Sequence, residues 1–225
     1  MFTEELWKRT GEDEMSRPAY IRAIAFFTIL VGLFVAGGAV ISFDWALSWP
    51  MMIVTFVVSI GAIFGFTFSK NPVISFISVA VMCVAMGMMI GPIVALYSAV
   101  VVMQALVATA GIMVVMSLIG ILYPSSFEGL GPYLMGALTL LIVSQFAQIL
   151  FLWLGFEQAA NMPLLAWVGV GIFTVFVAYD WSRALGLPHT WDNAVDASGG
   201  LVLDAINLFI RLLQIFGGKG GSSRR

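Results

Sequence analysis

The chain has 225 residues, 61% of them hydrophobic and only 10% charged, with a mean hydropathy of +1.03 and a net charge of −2. An average soluble domain carries about 25% charged residues, so this composition belongs in a bilayer rather than in water. It also excludes the basic surface that nucleic-acid binding needs, and so few charges, gathered at segment ends, do not define an acidic or basic partner.

The first 17 residues mix Glu4, Glu5, Lys8, Arg9, Glu12, Asp13, Glu14 and Arg17. They lack the short basic start and small-residue cleavage site of a signal peptide, so the first apolar segment is expected to stay in the protein. Seven apolar segments follow, near 20–42, 51–69, 73–95, 98–122, 130–154, 163–182 and 199–217. Each is long enough to cross a hydrocarbon core about 30 Å thick. The predicted fold is therefore an all-α membrane protein with seven transmembrane helices. A tail over 1–19 precedes a transmembrane domain over 20–217, and a short polar tail over 218–225 ends the chain.

The 57 residues between Lys70 and Glu128 contain no Asp, Glu, Lys, Arg or His. As one helix they would run about 85 Å, so they must fold back at least once. The breaks carry turn residues: Asp44 to Pro50, Ser69 to Pro72, Gly91-Pro92 with Tyr97-Ser98, Tyr123 to Ser126, Glu157 to Pro163, and a polar stretch over 183–198 read as a loop. Trp45, Trp49, Trp153, Trp181 and Trp191 fall at or beside segment ends, where an interfacial aromatic belt would place them. The last segment is short, with Gly199-Gly200 before it and Gly217-Gly218 after, which leaves a re-entrant alternative open. With seven spans, Lys8, Arg9, Arg17, Arg22, Lys70 and Arg183 share one side, against Lys219, Arg224 and Arg225 on the other. Positive residues are retained in the cytoplasm, so the N-terminus is expected there.

The candidate functional residues are the ionisable groups that interrupt this apolar background. Asp180 closes the sixth segment and Asp204 opens the apolar run of the seventh. A carboxylate in such surroundings is destabilised by several kcal/mol unless it is paired, hydrated or protonated. At about 100° per residue, Asn207, Arg211 and Gln214 share roughly a quarter of the helix surface with Asp204, so the seventh helix should turn a polar face inward. An antiparallel hairpin would bring the two aspartates to one depth, where they would share a proton and titrate in two separated steps. Ionised, they are hard oxygen ligands for a weak, transient Ca²⁺ contact. The structural alternatives are an Asp204–Asn207–Arg211 ladder and an Asp180 that merely ends its helix at the headgroups. Lys70 stands where an ion pair with the aspartates is available, or where it snorkels to phosphates. Gly91 and Pro92 should kink or end the third helix and admit close backbone approach. Cys83 and His189 each stand alone, as a core hydrophobe and a loop residue. No hydrolase triad, metalloprotease motif or phosphate loop is present, so neither an enzyme nor a resident cofactor is expected.

Ala178-Tyr179-Asp180 and the run from Leu203 through Asp204, Ile206, Asn207, Leu208 and Phe209 to Leu212-Leu213 and Phe216-Gly217 resemble the transmembrane Bax inhibitor motif family, in its bacterial form. Asn71-Pro72 and the run Gly87 to Pro92 support the likeness. The resemblance implies six helices around a central C-terminal one and a pH-sensitive calcium leak controlled by two aspartates, here Asp180 and Asp204. It also implies a basic residue near the pair, for which Lys70 is the match, and residence in a prokaryotic inner membrane. Arg211 departs from the family pattern, where a neutral polar residue is common. The expected function is thus a pH-sensitive cation leak channel, calcium foremost, working as a monomer with the bilayer and the ion as its partners. The alternative is a non-conducting regulator that binds a membrane protease or a stress or apoptosis-type factor, with Glu4 to Arg17 as the contact.

Reporter fusions after Lys219 test the topology. Alkaline phosphatase should be active there and a fluorescent protein dark, the opposite of fusions at the N-terminus; two ends on the same side would contradict seven spans.

Overall fold

The computed structural model describes residues 14–45, 48–69, 71–156 and 163–220. Among these, seven long helices form and no strand: α1 (Arg17–Ser42), α2 (Trp49–Phe68), α3 (Pro72–Val94), α4 (Ala99–Leu122), α5 (Gly131–Trp153), α6 (Pro163–Leu185) and α7 (Trp191–Gly220), with a 3-10 turn at Pro124–Ser126. All seven are long and apolar enough to cross a membrane. The chain is a multi-pass membrane protein.

The helix starts follow simple rules. Pro18, Pro50, Pro72, Pro132 and Pro163 each lie in a first turn, where the missing N–H has no intrahelical partner to lose. Asn71 caps α3 by accepting the Val73 N–H at 2.9 Å. Inside the helices, Thr28, Ser42, Thr55, Ser59, Thr139 and Ser144 each donate to the carbonyl four residues back. Their hydroxyls are thereby satisfied without water.

The outer faces are what a bilayer requires and water would not tolerate. Phe26, Leu33, Phe64, Val107, Leu140, Phe146 and Trp153 are all exposed. Trp45, Trp49, Trp153 and Trp191 are exposed near helix ends, as a belt demands, whereas Trp181 is buried. The reason is packing: Trp181 sits behind Gly120 of α4, close to where a side chain at that glycine would be.

Contacts divide the chain into two compact units, one of residues 1–98 and 183–203, the other of 99–182 and 204–225. In the first, α3 packs on both α1 and α2. A side chain at Gly38 would meet the Val84 carbonyl, one at Gly87 the Val35 carbonyl, and one at Gly91 the Ser42 hydroxyl and Ala39 carbonyl. The two helices thus meet backbone to backbone, the use membrane helices make of small residues. Helix α3 continues through Gly91-Pro92 to Val94, so this pair supports close approach two residues before the helix ends.

The largest departure from expectation is in α7. It starts at Trp191, eight residues before the expected 199, and spans 30 residues, about 45 Å. Residues 191–198 of the stretch read as loop form its first two turns, and its unbroken length and composition suit a span rather than a re-entrant segment. In its most apolar window 56% of residues are buried, against 11–39% in the other six, which makes it the most enclosed helix.

Gly87→Val should destabilise the protein by about 1–3 kcal/mol, the usual range for forced overpacking. Gly111→Ala, which faces open space, should be neutral. Thermal unfolding in detergent distinguishes them, and equal melting of the two variants would contradict the α1–α3 interlock.

Candidate functional site

Within the second unit, the end of α6 is held on both sides of Asp180. Gly120 of α4 admits Ala178 and Trp181, and Gly131 at the start of α5 admits the Tyr179 hydroxyl, 2.5 Å from where a Cβ would stand. The Ser182 hydroxyl donates to the Pro124 carbonyl at 2.7 Å. Residues on either side of Asp180 are therefore anchored to neighbouring elements, and Asp180 itself is half-buried.

Asp204 lies in the same unit on α7, with 6% of its surface exposed, and its Oδ2 has no hydrogen-bond partner. Helix register sets its level relative to Asp180. The Arg211 side chain lies across Gly169 of α6, with Nε 2.9 Å from the position a Cβ would take. Stepping seven residues back along α7, and the same number forward along antiparallel α6, sets Asp204 opposite residue 176. Asp180 is one turn beyond, about 6 Å along the axis. Arg211 is half-buried and its Nε has no hydrogen-bond partner, while Asn207 is half-buried between the two charges and Gln214 is exposed. The polar face predicted for α7 thus turns partly outward at its far end. Lys70 lies outside the described residues.

The head of α7 carries a second group of polar side chains, which sequence reasoning passed over. In the first unit, Ser75, Asp192, Asn193, Asp196 and Ser198 are all buried. The Ser75 hydroxyl donates to Asp192 Oδ1 at 2.6 Å, joining α3 to α7. Thr190 caps the helix, its Oγ1 accepting the Asn193 N–H at 3.2 Å, and the Asn193 amide donates to the Pro188 carbonyl at 2.8 Å. His189 stacks on Tyr20 with ring centroids 4.6 Å apart, and its carbonyl accepts the Met15 N–H at 2.8 Å. The connection Gly186 to Thr190 is therefore pinned to the start of α1. Gly199 lets α7 approach Val79 of α3. The available signal was Thr190 followed by Asp192 and Asn193, a capping residue with an acid in the first turn. Cys83 is a buried free thiol in α3. Among the described residues no group of three His, Cys, Asp or Glu converges to hold a metal ion.

Comparison with known proteins adds a family. The Bax1-I family, described as "Inhibitor of apoptosis-promoting Bax1", matches residues 17–221. The protein LIFEGUARD 2 of Arabidopsis thaliana is 31% identical over 149 residues, 65% of this chain and 60% of that protein. LIFEGUARD 4 of the same plant is 30% identical over 173 residues, 75% of this chain and 66% of the relative. The inner membrane protein YbhL of Escherichia coli K12 is 30% identical over 142 residues, 59% of this chain and 58% of its own length. The chain thus spans 58–66% of the length of these three relatives.

Ser75→Ala removes the hydrogen bond to a buried carboxylate, and should destabilise the protein by about 1.5–3 kcal/mol, the usual range for a bond to a charged group. In a double-mutant cycle with Asp192→Asn, unfolding in detergent should show coupling between the two positions. Additive effects would contradict the bond.

Proposed function

This chain belongs to the Bax1-I family, and we propose that it is a pH-sensitive cation leak channel, calcium being the ion carried, gated by proton sharing between Asp180 and Asp204. One observation supports this most: a carboxylate buried in a membrane helix, with one oxygen lacking a hydrogen-bond partner, lies about one helical turn from the level of a second carboxylate on the neighbouring helix. Two such groups cannot both ionise freely, so the pair holds one proton over a range of pH and loses it over another. With the proton shared, the two helices are drawn together at that depth. With both groups ionised, repulsion separates them and presents hard oxygen ligands to a passing divalent ion. Two carboxylates are too few for a tight site, which suits an ion in transit.

Further parts of the reading rest on the same frame. The enclosed α7 is taken as the inner helix, with the other six around it. Arg211, deeper along α7, sets an electrostatic barrier that limits the rate of divalent passage. The protein works as a monomer in an inner membrane with its N-terminus in the cytoplasm, and performs no catalysis. Lys70, Asn207 and Arg211 support the aspartates, and Gly91-Pro92 fixes the packing of α3. The description of the family as an inhibitor of an apoptosis-promoting protein favours a second reading, a non-conducting regulator that binds a partner. Its contact segment, Glu4 to Arg17, lies largely outside the described residues.

Calcium flux into proteoliposomes between pH 6 and 8 tests the channel. Wild-type flux should vary with pH, and in the Asp180→Asn and Asp204→Asn variants that variation should vanish, with Arg211→Gln raising flux several-fold. No flux in any variant, together with partner capture that is lost on deleting residues 1–17, would sink the channel in favour of the regulator.

A further inference from the structure

Near Asp180, helix α6 meets different neighbours on its two faces, all within the second unit. At about 100° per residue, Ala178, Trp181 and Ser182 fall within an arc of about 100°, and Asp180 points about 150° from the middle of that arc. Gly169, about three turns earlier, lies within about 20° of Asp180 around the helix. The Arg211 side chain of α7 crosses Gly169, so the face that carries Asp180 is the one turned to α7. On α7, Asp204 stands about 20° around the helix from Arg211 and looks back at α6.

The other face of α6 is closed off. A Cβ at Gly120 of α4 would stand 2.5 Å from the Ala178 carbonyl oxygen and 2.9 Å from Trp181 Cβ, so the two helices already meet at closest approach. The Ser182 hydroxyl, in a residue 7% exposed, donates to the Pro124 carbonyl at 2.7 Å and ties the same face to the turn that follows α4. Helix α6 therefore has no room to retreat from α7 at the level of Asp180. Other ionisable groups around it are few. On α7 they are Asp204 and Arg211; α4 carries no Asp, Glu, Lys, Arg or His, and Tyr123, Glu128, Tyr133 and Arg183 are exposed.

We propose that α4 and the Pro124 carbonyl form a backstop for α6, and that Ser182 is a positioning residue for Asp180 which sets its separation from Asp204. The inference rests on the proposed pairing of the two aspartates and names what fixes their distance. Like charges held close lose their second proton at higher pH than charges free to part. Ser182, on the face away from α7, acts through the placement of α6. Releasing it lets Asp180 step back from Asp204, so the second proton leaves at lower pH. Filling the slot at Gly120 drives α6 towards α7, and the second proton leaves at higher pH.

Carboxyl ¹³C NMR of the full chain in detergent, labelled at aspartate and followed over pH, tests the proposal, with Asp180→Asn and Asp204→Asn assigning the signals. The wild type should show two separated steps. Ser182→Ala should move the upper step to lower pH, Gly120→Ala should move it to higher pH, and Ser182→Thr, which keeps the hydroxyl, should leave it at the wild-type position. An upper step unmoved or raised by Ser182→Ala, with the two steps still separated, would overturn the backstop and leave the pair standing. A wild type without separated steps would remove the pair, and the backstop with it. Should Gly120→Ala fail to fold, the contrast between Ser182→Ala and Ser182→Thr decides: equal titration in the two refutes the positioning role.

Discussion

The fold depends on how one apolar helix carries ionisable groups. Helix α7 holds Asp192, Asp196 and Asp204 buried and Arg211 half-buried. In hydrocarbon each such group is destabilising by several kcal/mol unless polar neighbours or water receive it. A helix so built cannot face lipid, and it is the most enclosed of the seven. The lipid-facing surface falls to helices such as α4 and α5, whose windows are only 17% and 11% buried. Where polar groups lie, and how deeply each helix is buried, are therefore one constraint seen twice.

Glycine placement is the means by which neighbours reach these groups. Gly199 brings α3 against the head of α7, where Ser75 can bond Asp192, and Gly169 makes room for the Arg211 stem on α6. Gly120 and Gly131 let α4 and α5 grip the residues beside Asp180. In a bilayer there is no hydrophobic drive between helices, so close backbone approach supplies both the packing and the precision of the polar contacts. The leading reading of the protein, a proton-sharing latch, uses that precision at Asp180 and Asp204.

Much of this was legible in the residues. The absence of any Asp, Glu, Lys, Arg or His between Lys70 and Glu128, punctuated by Pro72, Tyr97-Ser98 and Pro124, set the helix count in that region, whereas Gly91-Pro92 lies within α3. Asp180 and Asp204 stood out because they were polar in apolar surroundings, and the antiparallel register relating them follows from Arg211 over Gly169. The head of α7 was not legible for the opposite reason. Asp192, Asn193, Asp196, Ser198, Gly199 and Gly200 lower local hydropathy enough to resemble a loop, and only tertiary partners on α1 and α3 reveal why so polar a stretch is helical and buried. Trp181 shows the same limit: its place beside a helix end suggested an interface, and Gly120 across from it made a buried slot instead.

The central claim is that Asp180 and Asp204 titrate as a pair rather than as two separate acids. Infrared difference spectra of the carboxyl C=O band, recorded over a pH titration of the purified protein, report this directly. Two separated steps are expected in the wild type, and Asp180→Asn should remove one and move the other. An Asp204 step unchanged by the loss of Asp180 would contradict the account.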